Sequence, residues 1–407
     1  MERCPAAAPK RRRRILLCCV GILMAALLLF RFLPEGSLVI PIGFSFYSLQ
    51  AIGYLADVYG GRTAAEKNLL RLALFLVFPI TFLSGPIQRT DGLLAQLRGE
   101  KKLTGDPAER IRHGLFLMAW GLFLKYAVAD RLGPIVGKCF TDIPEREGAV
   151  LLFGAVLYAF QLYTDFNGYT SIALGAGEIL GFDLGANFDC PYFSLSMREF
   201  WNRWHISLSR WLRDYLYFPL GGSRKGTARA VTAILIVFGF SGIWHGKGLQ
   251  FLVWGLLHGI FRGTEYLTEK MRKNPPSDRP VFRLLRGLRT FLLVDFAWIF
   301  FRAGSLSEAF LTLRRILFCF DPVHALREGL YRVDPSRAHL ALQLACLIPP
   351  LVVDILHYRK VPITQRFEER IATPVRWLCY FVFTAFLLLT FLRSYGVSVT
   401  TFIYANF

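Results

Sequence analysis

Residues 231–261 read VTAILIVFGFSGIWHGKGLQFLVWGLLHGIF, an oily run interrupted by His245, Lys247 and three glycines, Gly242, Gly246 and Gly248. As one helix the run would be about 46 Å long, against roughly 30 Å of hydrocarbon in a bilayer. It is too long for one straight crossing and too short for two full ones. Gly239, Gly242, Gly246 and Gly248 mark where a helix bends, ends or lets a second backbone approach. The first part covers only about 22 Å before Trp244. If it enters from the basic segment 223–229, His245 lies at membrane depth. Polar residues there are tolerated when buried in protein or lining a watered cavity, and they are functional candidates by default. Imidazole suits proton transfer near neutral pH. A buried structural histidine capped by a backbone carbonyl is the competing reading, and the spacing leaves both open.

The rest of the chain supplies the setting. Of 407 residues, 54% are hydrophobic and 37 are Phe, arranged in long apolar blocks between short basic segments. That is the composition of an all-α polytopic membrane protein. A crossing takes roughly 20 apolar residues, and spans or half-spans are expected near 15–33, 38–59, 69–84, 113–129, 149–165, 230–244, 249–262, 288–301, 338–356 and 375–392. About 8–11 membrane helices and no separate soluble domain follow. The start, MERCPAAAPKRRRRILLCCVGILMAALLLF, sets a basic region before an apolar run. No small-residue cleavage site follows in RFLPEGS, so residues 1–37 read as a retained membrane anchor with its basic end in the cytoplasm.

The formal charge of +19 concentrates in short loops such as 98–112, 223–229 and 270–289. The positive-inside bias accounts for this; attraction of anionic lipid or of a phosphate-bearing donor is the sharper alternative. Of eight cysteines, Cys18, Cys19, Cys319, Cys346 and Cys379 lie inside apolar runs, and no C-x-x-C pair occurs. They read as small buried hydrophobes. The longest polar connection, about 263–287 with NPPSDRP at its middle, is the expected flexible loop.

The segment MREFWNRWHISLSRWLRDYLYFPLGG, residues 197–222, has a different character. At about 100° per residue, Trp201, Trp204, Leu208, Trp211, Leu212 and Tyr215 share one arc of roughly 120°. Arg198, Glu199, Asn202, Arg203, Arg210, Arg213 and Asp214 take the other side. The pattern predicts an amphipathic helix along the membrane interface. His205 stands on the edge of the aromatic arc and is aimed toward protein or the membrane interior. A hydrogen-bonded interfacial histidine explains that position equally well.

Other chemistries are excluded by their missing patterns. There is no H-E-x-x-H, and His205, His245 and His258 have no metal-ligand spacing, so no metal is expected. Nor does the chain hold a G-x-S-x-G elbow, a P-loop or a G-x-G-x-x-G. A membrane enzyme with one or two buried histidines remains, or a transporter with polar groups at mid-depth.

The run REFWNRWHISLSRWLRDYLYFPLGGSRKG, followed by SGIWHG and WGLLHG, resembles the membrane-bound O-acyltransferase (MBOAT) family, and within it the branch of bacterial polysaccharide O-acetyltransferases. Further matches are IPIGFSFYSLQAIGYLADVYGG at 40–61, FLSGPIQRTDGLLAQL at 82–97, QLYTDFNGYTSIALGAGEILGF at 161–182, FAWIFFRAGSLSEA at 296–309 and the terminal FIYANF. The resemblance spans roughly 38–407 in register. Long motifs matched in order make chance similarity very small.

The resemblance implies a ring of tilted transmembrane helices, with re-entrant and interfacial helices, around a tunnel where a cytoplasmic acyl donor meets an acceptor from the other side. It makes His245 of the W-H-G motif catalytic. It matches His205 to a second family histidine, one that more distant members replace by asparagine, with a role in orienting a substrate or binding the oxyanion. Arg203, Arg210, Arg213, Arg224 and Lys225 become candidates for donor phosphates. The implied activity moves an acyl group, acetyl first among them, from acetyl-CoA or another thioester toward hydroxyls of a cell-surface polysaccharide. No tightly bound cofactor is expected. The implied partner is an extracytoplasmic acyltransferase, and the implied location is the bacterial cell membrane. D-alanyl transfer to teichoic acid and a non-catalytic flippase of lipid-linked glycan are the alternatives. Two departures stand out: relatives usually carry more hydrophobic sequence before IPIGFSFY, and Lys247 stands where they often have a small residue.

Overall fold

The computed structural model describes residues 9–394 apart from 33–42, 83, 102–104 and 273. The terminal FIYANF and the start of the IPIGFSFY motif lie outside these residues. Among those described there is no strand; the chain is helical almost throughout. The helices used below are α1 (Pro9–Phe32), α2 (Phe44–Tyr59), α3 (Pro107–Leu122), α4 (Gly148–Ile179), α5 (Met197–Arg203), α6 (Ile206–Leu212), α7 (Thr227–His245), α8 (Leu249–Met271), α9 (Pro280–Arg302), α10 (Arg337–Tyr358) and α11 (Thr373–Ser394).

Four of them, α4, α7, α10 and α11, are each long and apolar enough to cross a membrane. The other expected spans are helices that are shorter, such as α2, or that carry more charge, such as α9 with its several arginines. Burial separates the four by position. The apolar window of α4 is 72% buried and that of α7 44%, whereas those of α10 and α11 are 11% and 6% buried. A helix apolar on all sides and enclosed by protein is a central strut; one left uncovered faces lipid. Cys379, on α11, is exposed there, as is Cys18 on α1, so these two are surface residues and not the buried hydrophobes expected of them.

The central strut is held by close backbone approach and by paired charge. A Cβ on Gly114 would lie 2.6 Å from the carbonyl oxygen of Gly175, and one on Gly121 would lie 2.5 Å from that of Gly168. Two glycine pairs seven residues apart on each helix therefore let α3 and α4 touch along their backbones, as small residues do between membrane helices. Deeper in, Lys125 reaches Asp165 at 2.6 Å and Asp130 at 2.9 Å. Buried charge in such a place is stable because it is paired.

The run 231–261 resolves into two helices. α7 ends at His245 and α8 begins at Leu249, and the two pack against each other as a hairpin. α8 does not stop near 262 as a half-span. It continues to Met271, so the connection to α9 is only 272–279, much shorter than the expected loop. The polar extension is helical because its charges pair: Arg262 sits 3.5 Å from both Glu265 and Glu269, and Lys270 donates to Thr227 at 2.8 Å.

Candidate active site

The α7–α8 turn is shaped by glycines. A Cβ on Gly242 would lie 2.3 Å from the Phe251 carbonyl oxygen, and one on Gly255 2.2 Å from that of Phe238. Gly246, in extended backbone, has the ring of Phe251 where a side chain would stand, at 2.0 Å. These glycines are therefore required by close packing, and they bring α8 against the end of α7. Lys247 is exposed at the turn. Gln250 fixes the start of α8 by donating to the carbonyls of Ala303 and Gly304, just past α9. That contact places the FAWIFFRAGS motif beside the turn.

His245 is 2% exposed. Its Nδ1 lies 2.7 Å from the Ser241 carbonyl oxygen. A carbonyl only accepts, so Nδ1 carries the ring proton and Nε2 holds the lone pair. Around the ring stand Trp244 and Trp254, both at 4.8 Å between ring centres, and Phe301 at 5.6 Å. The 19 residues of α7 rise about 28 Å, nearly a full hydrocarbon layer. The aromatic wall of Trp244, Trp254 and Phe301 closes around the ring at the end of that rise.

The central segment is not one helix. It consists of α5, a break at His205, α6 and a wider π-turn over Arg213–Tyr217. Most of the aromatic arc is nonetheless buried, at Trp201, Trp204, Leu208, Trp211 and Leu212, while Arg198, Asn202, Arg210 and Arg213 are exposed; Tyr215 of the arc and Glu199, Arg203 and Asp214 of the polar side are half-buried. α5 starts with a capping box, Ser196 accepting from the Glu199 N–H and Glu199 from that of Leu195. Glu265 of α8 accepts from the backbone N–H groups of Met197 and Arg198. Trp211 docks α6 on α2 by donating to the Leu49 carbonyl.

The break exists because a loop clamps it. Asp189 donates its N–H to the Arg203 carbonyl and Ile206 donates to that of Asn187, both at 3.0 Å. His205 is left in the left-handed region at φ 43° and ψ 54°. The buried Asn187 Oδ1 accepts from the Ser207 N–H at 3.1 Å, the Ser207 hydroxyl at 2.9 Å and His205 Nδ1 at 3.2 Å. Because that atom accepts a backbone N–H it is the amide oxygen, so His205 Nδ1 is also a donor. In the neutral ring Nε2 then accepts, which does not suit the expected donation to an oxyanion. Phe166 of the QLYTDFNGY motif packs on His205 at 4.8 Å, and Trp244 lies 6.4 Å from it. One indole therefore borders both histidines.

A cavity of about 680 Å³ opens beside α5 and α6, lined by Trp201, Arg198, Arg210, Arg213, Arg262 and Glu269 among others. Neither His205 nor His245 lines it. Trp201 does, and it packs 6.1 Å from Trp254, which adjoins His245. Of the arginines singled out by sequence, Arg210 and Arg213 face this cavity. Arg203 does not: it pairs with Glu199 at 2.9 Å and covers the Tyr358 ring. Arg224 covers Phe218, and Lys225 shares its exposed turn. Arg198 and Arg262 are the cavity arginines that were not singled out; both were visible as charges, but only the fold shows which charges share a wall.

Beyond α6, the acid–base groups form a network outside the spans. Asp214 accepts from Arg89 and, at 2.9 Å, from Arg213. Burial alone would raise its pKa, but those two guanidinium groups outweigh it and hold the carboxyl below 3.8. Tyr215 donates to Asp57 at 2.8 Å beneath Arg62 and Arg89. Asp189, Cys190 and His357 also lie together, but an ion pair of 3.4 Å between Asp189 and His357, and a Cys190 thiol donating to the Asp354 carbonyl, account for them.

The profile of the membrane-bound O-acyltransferase family matches residues 64–283. The chain belongs to that family. It is 39% identical to the probable alginate O-acetylase AlgI of Azotobacter vinelandii over 272 residues, 67% of this chain and 52% of the relative. To the peptidoglycan O-acetyltransferase of Helicobacter pylori it is 33% identical over 305 residues, 68% and 56% of the two chains. To the teichoic acid D-alanyltransferase of Bacillus subtilis it is 27% identical over 279 residues, 66% and 70%. The chain thus spans about half the length of the alginate and peptidoglycan relatives it matches. Within this MBOAT protein the matched range holds the whole α5–α8 region, and so the buried His205, His245 and His258.

Proposed function

We propose that this MBOAT protein transfers an acyl group, acetyl in the first instance, from a thioester such as acetyl-CoA to a hydroxyl on the way to a bacterial cell-surface polysaccharide. The observation that carries the reading is the His245 ring, buried and held by Ser241 so that Nε2 is basic. Nε2 takes the hydroxyl proton as that oxygen attacks the thioester carbonyl. The C–S bond then breaks and the imidazolium returns the proton to the departing sulfur. Such general-base work is worth about 10²–10⁴-fold, and alignment of the reactants supplies more. His205 Nε2 accepts a hydrogen bond from a second donor group of the acceptor, such as a neighbouring hydroxyl, and so aligns it.

Arg198 and Arg210 have no ion pair among the described residues, so the 680 Å³ cavity offers positive charge to donor phosphates. The donor is consumed as a substrate, and the reading needs no resident cofactor. The names of the alginate and peptidoglycan relatives support polysaccharide as the final acceptor, reached through an extracytoplasmic partner at the cell membrane. Labelled acetyl-CoA and a hydroxyl acceptor, supplied to the purified protein with and without the partner, test the reading. Label transfer that is lost in His245→Gln is the expected result. Label transfer unchanged in that variant, or glycan movement without transfer, would overturn it.

A further inference from the structure

The mechanism above leaves WGLLHG, residues 254–259, without a role for its histidine. His258 stands one turn beyond Trp254 on α8 and is fully buried. Its ring lies 4.9 Å from that of Trp201, 5.1 Å from Trp254 and 6.0 Å from Trp298. Phe200, Phe238 and Phe261 complete the enclosure at 6.2–6.3 Å. Neither ring nitrogen has a hydrogen-bond partner among the described residues, and the same holds for the buried indole N–H groups of Trp201, Trp254 and Trp298. Packing does not explain this. Each such group gives up a hydrogen bond to water on folding, so a purely structural core would be better served by Phe or Leu at 258.

The chemistry of these groups defines what they would hold. Indoles only donate, and a neutral imidazole offers one N–H and one lone pair. The cluster therefore presents four donors and one acceptor, which suits a guest that accepts through a carbonyl oxygen. Its position names the source: Trp201 also lines the arginine-rich cavity, and Trp254 also touches His245. We propose that His258, with the N–H groups of Trp201, Trp254 and Trp298, binds the thioester carbonyl oxygen of the acyl donor between that cavity and His245. The proposal rests on the acyl-transfer reading and adds a binding residue to it.

The test uses the full-length protein in detergent and acetonyl-CoA, a thioether that keeps the carbonyl but cannot transfer it. His258→Phe should weaken its binding about tenfold, as expected for one lost hydrogen bond at a buried site. His258→Gln should restore most of the affinity, and His258→Phe should melt no lower than the wild type. S-propyl-CoA, which lacks the acyl carbonyl and keeps the pantetheine amides, should bind both proteins equally. Equal acetonyl-CoA binding by the wild type and His258→Phe would overturn the proposal while leaving the acyl-transfer reading intact. So would weaker binding of both analogues together with a lower melting point and no recovery in His258→Gln. If His258→Phe does not accumulate, Trp298→Phe decides: about threefold weaker acetonyl-CoA binding with unchanged S-propyl-CoA binding is expected, and no change in acetonyl-CoA binding overturns the proposal. A wild-type protein that binds neither analogue overturns both readings.

Discussion

His245 and His205 both stand where a helix stops, yet the two stops are built differently. At His245 the chain ends α7 with glycines on either side, and those glycines let α8 fold back against it. At His205 the helix is stopped from outside, by the backbone and side chain of Asn187 in a loop that precedes α5. The first stop is local chemistry. The second belongs to the tertiary structure, and it holds a non-glycine residue in the left-handed region. Both arrangements tie Nδ1 down and give Nε2 the lone pair, so the two histidines share a tautomer although their backbones do not.

The largest effect should come from the histidine of the local stop. His245→Ala should lower acyl transfer by about 10²–10⁴-fold or more at near-normal membrane level, read as label transfer per mole of protein. Transfer near the wild-type rate would remove the catalytic role and with it the functional half of the comparison.

Next in size is the second stop. His205→Asn should keep measurable transfer, because asparagine tolerates the left-handed region and still hydrogen-bonds. His205→Ala should lose far more: it gives up the side-chain bond to Asn187 and pays roughly 1–2 kcal/mol of backbone strain. Equal and complete inactivity of the two variants at normal expression would make His205 a proton acceptor in its own right.

Asn187→Ala separates the stops directly. It strips partners from His205, the Ser207 N–H and the Ser207 hydroxyl, and an unsatisfied buried group costs about 1–3 kcal/mol. The melting temperature in detergent should fall, and transfer should fall with it. Gly255→Ala, which forces a Cβ toward the Phe238 carbonyl, should destabilise the α7–α8 hairpin by a similar 1–3 kcal/mol. If Asn187→Ala melts like the wild type, the outside clamp is not what holds the break.

The smallest effect lies past α6. The Asp214 pKa is held below its unfolded value, so the carboxylate contributes stability above that value and loses it as pH falls through the folded pKa. Asp214→Asn should therefore lower stability at neutral pH, where the charged carboxylate contributes in full, and flatten the acid limb below about pH 4. A variant with an unaltered acid limb would show that Arg89 and Arg213 do not stabilise the charge.

Much of this was legible in residues 197–261. Composition and block length determined an all-α membrane protein, periodicity determined which side of the central segment is buried, and the glycines around His245 marked a helix end within a residue or two. Those are local properties, fixed by side-chain chemistry at helical spacing. What no local rule carries is the break at His205, since the sequence there reads as continuous helix and the clamp comes from a residue 18 positions earlier. The polar stretch after 262 likewise reads as a loop until its charges find partners across α8 and α7. The grouping of Trp201, Trp254, Trp298 and His258 required three helices to meet, and so did the choice of Arg198, Arg210, Arg213 and Arg262 as neighbours on one wall. A sequence determines which groups must be buried or paired; which of them meet is decided by packing between segments far apart in the chain, where the contact energy depends on distances that spacing along the chain does not encode.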